Sequence, residues 1–167
     1  MTVFHPFRKC GHNGFTALDV LLVLMIVGIA AAVGVSRSVS RTTFTLATEA
    51  ETLKTHLRYV QYRSMSDALA PGQTLTWGLR FNAGSYDLVY NNAATSRRLP
   101  NEDSPSHTLA KGITMTSSLA GSVLHFNEWG NPVGADETPL AADVLITLTD
   151  GSASRTVRVT QNTGFIP

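Results

Sequence analysis

Apolar and polar residues divide the chain into three stretches of different period. Residues 15–35, from Phe15 to Val35, are apolar almost throughout, and Asp19 is their only charge. The run is about 21 residues, or roughly 31 Å as a helix, enough to cross a bilayer core. Residues 36–70 change character. Leu46, Ala50, Leu53, Leu57 and Val60 recur in steps of four and three, which predicts an amphipathic helix with one buried stripe. Arg41, Thr45, Thr48, Glu49, Thr52, Lys54, Thr55 and Arg58 supply its polar faces. No proline interrupts this region, so one helix is expected from Phe15 to about Leu69, on the order of 80 Å long. Ala70-Pro71-Gly72 then stops it.

From residue 71 onward the period shortens to two. Leu75, Trp77, Leu79 and Phe81 alternate with Thr74, Thr76, Gly78 and Arg80, the pattern of a half-buried strand. Asn82 to Ser85 read as a turn and Tyr86 to Tyr90 as the returning strand. Ile113–Leu119 and Ser122–Phe126 are expected to pair around Ala120-Gly121. Val144–Thr149 and Arg155–Thr160 flank Asp150-Gly151-Ser152-Ala153-Ser154, a hairpin signal. Asn91–Ser106 and Asn127–Pro139 read as loops, and the tail Thr163–Pro167 as a short edge segment. The fold class is therefore α+β: one long N-terminal helix packed on an antiparallel β-sheet or sandwich, with the boundary near Pro71.

Composition narrows the functional classes. The chain has 13 Lys and Arg against 12 Asp and Glu, so no bulk charge draws it to nucleic acid or anionic lipid. Its single cysteine is Cys10, which leaves nothing after residue 14 to form a disulfide. His56, His107 and His125 lack the spacing of a helical metal site. No Gly-x-Ser-x-Gly elbow and no phosphate-cradling glycine loop occurs. His125 is expected on a surface or rim, and the acids, Glu102 among them, mostly in solvated turns. The expectation is a protein without catalytic residues, metal or cofactor.

The chemistry lies at the start of the apolar run. Arg8 and Lys9 precede Gly14-Phe15-Thr16-Ala17-Leu18-Asp19. A carboxylate at membrane depth is costly and marks a functional position by default. An ordinary secretory signal, cut near Ala30-Ala31-Ala32, is one alternative. A plain signal anchor is another, but it accounts for neither Gly14-Phe15 nor Asp19.

The segment resembles the processing site of type IV pilins and type II secretion pseudopilins. That resemblance implies cleavage after Gly14, N-methylation of Phe15 and docking of Asp19 against a neighbouring subunit's N-terminus. The family favours Glu where this chain has Asp19, one methylene shorter. Leu57–Ser64, Trp77–Phe81, Leu124–Pro132, Arg155–Val159 and Thr163-Gly164 resemble segments of the GspH/FimT group of minor pseudopilins and minor pilins. Neither the disulfide loop of many major pilins nor an acidic calcium loop is present, which fits a minor subunit. The Gly-Arg-x-Arg motif of DNA-binding relatives is also missing, since Phe165-Ile166-Pro167 follows Gly164. Arg155 and Arg158 could form a small basic patch, although alternating arginines on an exposed strand face is the commoner reading.

The implied organisation is a leader (1–14), a transmembrane helix (15–35), a periplasmic amphipathic helix (36–70) and a β-rich head (71–167). The implied location is a bacterial inner membrane with a periplasmic head. The implied partners are other pilin subunits, prepilin peptidase, an inner-membrane assembly platform and membrane lipid, with nucleic acid not expected. A type II secretion pseudopilus and a type IV pilus both remain open. So do a periplasmic binding module and a DNA-uptake pilin.

Overall fold

The computed structural model describes residues 16–67 and 76–167, with the side chains of 33–43 left aside. It divides into two units, Met1–Ser40 and Arg41–Pro167. Helix α1 runs Ala17–Ser66. In the first unit, every large apolar side chain from Leu18 to Ile29 is exposed. Only Asp19 and Gly28 interrupt that run, so apolar side chains stand on every side of this part of the helix. Among the described residues, no helix is long and apolar enough to cross a membrane. The described side chains of this run stop at residue 32, short of the roughly 20 that a span requires.

In the second unit the predicted stripe is the buried one: Leu46, Ala50, Leu53, Leu57 and Val60 are all inside. The helix ends at Ser66, earlier than the proline stop predicts. Ser64 Oγ accepts the Trp77 N–H at 3.2 Å and Asp67 Oδ2 accepts the indole N–H at 2.7 Å. The first strand is thereby tied to the last turn of the helix. Leu75, expected in that strand, lies outside the described residues.

The strands are β1 Trp77–Phe81, β2 Ser85–Tyr90, β3 Ala93–Ala94, β4 Ser106–Thr108, β5 Thr114–Ser117, β6 Val123–Phe126, β7 Pro132–Val133, β8 Val144–Thr149 and β9 Ser154–Val159. All pairings among them are antiparallel. The larger sheet has the order β3-β2-β1-β6-β7, with β4 also on β2; the smaller has β5-β8-β9. Register puts Trp77, Leu79 and Phe81 beside Tyr86, Leu88, Leu124 and Phe126 on one face. These join the helix stripe and Met115, Val144, Ile146, Leu148, Val157 and Val159 of the smaller sheet in one core. Each fully buried Leu, Val or Ile is worth about 1.5–3 kcal/mol against exposure.

Four expectations are corrected. β5 does not pair with β6; it pairs with β8 in the other sheet. The connection turns through Gly121 (φ 82°) and Ser122 (φ 54°), and the Ser118 N–H goes to the Leu145 carbonyl. The stretches read as loops contain β3, the start of β4, and β7. The tail forms no strand: the Gly164 N–H bonds the Thr160 carbonyl and the Thr160 N–H bonds the Phe165 carbonyl, a closed turn that buries Ile166. Arg155 and Arg158 lie opposite Leu148 and Leu145. Being three residues apart, they occupy opposite faces of β9 and form no common patch.

Candidate functional site

Gly14 and Phe15 lie outside the described residues. Asp19 is described, and its carboxylate is engaged locally. Oδ2 accepts the Thr16 N–H at 3.0 Å and the Thr16 hydroxyl at 2.9 Å. Thr16 Oγ1 in turn accepts the Asp19 N–H at 3.3 Å. This is a capping box, in which a Thr at the N-cap and an acid three residues on satisfy each other's backbone donors. Thr16-x-x-Asp19 preceding an apolar run is its sequence signature, and the docking reading overlooked it. The acid also lies in the first turn, where the positive end of the helix dipole favours it.

The head holds a second constellation that the sequence left scattered. Glu49 and His56 come from α1, Tyr86 from β2, and Glu102 and His107 from the segment between β3 and β5. His107 Nε2 bonds Glu49 Oε2 at 2.9 Å and its Nδ1 bonds Glu102 Oε1 at 2.5 Å. The other Glu49 oxygen accepts the Ala110 N–H at 3.0 Å. His56 Nε2–H donates to the Pro100 carbonyl at 2.9 Å, so its Nδ1 accepts the Tyr86 hydroxyl at 2.7 Å. Tyr86 stacks on His107 with ring centroids 4.9 Å apart.

These surroundings push the two imidazoles in opposite directions. Burial lowers the His56 pKa, outweighing its bond to Pro100, and the nearby His107 lowers it further. Burial also opposes charge on His107, but the bonds and charges of Glu49 and Glu102 prevail and raise its pKa. His56 is therefore neutral where His107 is still an imidazolium. Burial, with the charges of Glu49 and Glu102, pushes the Tyr86 hydroxyl far up, so it stays protonated. Among the described residues, no group of His, Cys, Asp and Glu is arranged to hold a metal. One signal was available in the sequence. His56 sits three residues after Leu53 and four before Val60, on the buried stripe, where a polar group requires partners.

His125, expected at a rim, is fully buried. Its Nε2–H donates to Asn92 Oδ1 at 2.8 Å, and Asn92 Nδ2 donates to the Ala135 carbonyl at 2.8 Å. The residue lies on the larger sheet's second face with Gly78, Val89 and Val133, next to a loop the sequence assigned to solvent. Burial pushes its pKa down.

At the helix end, Gln61 Nε2 donates to the carbonyls of Gly130 (2.8 Å) and Gly164 (3.1 Å). It thereby joins two positive-φ glycine turns. Trp129 and Phe165, next to those glycines, are exposed.

No protein-family model matches the chain, and no curated protein matches it in sequence. Among solved structures, the minor pseudopilin EpsH from the type 2 secretion system of Vibrio cholerae superposes with a TM-score of 0.52 at 10% identity. The match covers 73% of this chain and 94% of that one. The type IV minor pilin FimU of Pseudomonas aeruginosa gives a TM-score of 0.50 at 16% identity, over 73% and 86% of the two chains. The fold is pilin-like. In the pilin-like fold the helix stripe and both sheets share one core, and the Glu49–His107–Glu102 group ties that helix to the segment before β5.

Proposed function

We propose that this chain is a minor subunit of a type IV pilus or type II secretion pseudopilus, of the GspH/FimT kind, with no catalytic role. Residues 1–14 are a leader removed by prepilin peptidase between Gly14 and Phe15, and the new Phe15 amine is methylated. The apolar helix (15–35) holds the subunit in the inner membrane until an assembly platform draws it into a helical filament. Heterologous contacts that do not close on themselves build such an array. Asp19 docks against a neighbour's N-terminal amine, since pairing offsets the cost of each charge in an apolar setting. The amphipathic segment 36–70 and the head (71–167) face the periplasm and select neighbouring subunits.

The observation that carries this reading is the pilin-like fold joined to a helix whose apolar residues are exposed on all sides. An ordinary binding module has no use for such an uncovered surface. Mass spectrometry of the membrane-extracted protein tests the reading: an N-methylated Phe15 terminus is expected. A terminus near Val33 would overturn it in favour of a released periplasmic module.

A further inference from the structure

We propose that His107 is a proton-operated latch: as an imidazolium it fastens Glu102, in the turn Leu99–Ser104, to α1, and losing one proton releases Glu102 and loosens that turn. The argument is a count of hydrogens. Each His107 nitrogen faces a carboxylate oxygen, Nε2 toward Glu49 and Nδ1 toward Glu102. Only the imidazolium carries two N–H donors. A neutral ring has one, and turns a lone pair toward the other carboxylate. One ionic bond must then break, and the structure shows which.

Glu49 is held by the helix, and its second oxygen is already taken by the Ala110 N–H. Its side chain is 13% exposed, against 30% for Glu102. Glu102 sits in a small turn closed by the Glu102 N–H to the Leu99 carbonyl and the Leu99 N–H to the Ser104 carbonyl. Water can take over Glu102 far more cheaply than Glu49, so Glu102 is the partner released.

The groups facing His107 are Glu49 and His56 from α1, Tyr86 from β2 and Glu102 from the turn. His56 is a second tie to the same turn, through Pro100, and it holds with a neutral ring. Charging His56 would remove the acceptor for the Tyr86 hydroxyl and set two cations with ring centroids 5.6 Å apart. Neither change undoes the His56 Nε2–H bond to Pro100, so the edge of the latch is the deprotonation of His107.

The test uses the full chain in detergent micelles. Amide exchange of Leu99 and Glu102 is followed from pH 5 to 9, corrected for intrinsic rates, with Ile146 and Leu148 of β8 as references. As pH rises through the raised His107 pKa, the turn amides should lose protection relative to β8. The loss should reach up to about tenfold for each pH unit by which the closed latch raises the His107 pKa. Glu102→Gln should abolish that alkaline dependence. Should this variant fold poorly, ring ¹⁵N shifts of the unmodified protein still decide. His107 must remain doubly protonated at a pH where His56 is neutral. Parallel exchange of turn and β8 throughout, or His107 losing its proton before His56 does, overturns the latch.

Discussion

Gly78 lies under His125: a β-carbon on Gly78 would stand 2.6 Å from His125 Nδ1 and 2.6 Å from the Leu124 carbonyl oxygen. The contact is fixed by register, since Gly78 pairs directly with His125 across β1 and β6. A backbone atom cannot swing aside as a flexible side chain can. Gly78→Ala should therefore destabilise the head by about 1–3 kcal/mol, read as a lower urea midpoint with an unchanged slope.

Stability of the head should pass through a maximum in pH. His56 and His125 have depressed pKa values. The unfolded chain takes up their protons near pH 6.5 while the folded one does not, so the stability they protect is present above that pH and falls on acidification below it. His107 has a raised pKa. Its contribution is complete below about pH 6.5 and disappears as pH rises through the higher folded value. Urea midpoints from pH 5 to 9 should rise and then fall. Replacing His107 with Gln should remove the alkaline decline and keep the acid one.

Gln61→Ala should leave the Gly130 and Gly164 carbonyls without their shared donor. A loss of about 1–3 kcal/mol is expected, with faster amide exchange at Gly130 and Gly164, whose N–H groups close the two turns.

Substitution can separate the capping that Asp19 performs from the docking proposed for it. Asp19→Asn keeps an oxygen for the Thr16 N–H but removes the charge, so helix capping should persist while filament incorporation falls. Thr16→Ala should cost about 1 kcal/mol of helix-start stability, seen as faster exchange at Asp19 and Val20, whose N–H groups bond the Thr16 carbonyl. Equal incorporation of Asp19→Asn and the parent would show that capping, not charge, is what the filament uses.

Local order alone made much of this protein legible. The 46–60 stripe, β1 and β2, and the β8–β9 hairpin follow from period and turn chemistry. In that hairpin the Asp150 carboxylate accepts the Ser152 and Ala153 N–H groups. These signals act within a few residues, so a linear reading captures them. The pairing of β5 with β8 and the folding-in of the tail depend on which edges and faces remain to be covered once the helix is in place, and sequence spacing carries no record of that. The polar sites divide along the same line. Thr16 and Asp19 are three apart, and their box is written in the sequence. Glu49 and His107 are separated by 58 positions, and His125 reaches Asn92 across 33. Their burial, their partners and the opposite pKa shifts of His56 and His107 arise only after the chain has closed around them. Desolvation and paired charge belong to the packed core, not to any stretch of sequence.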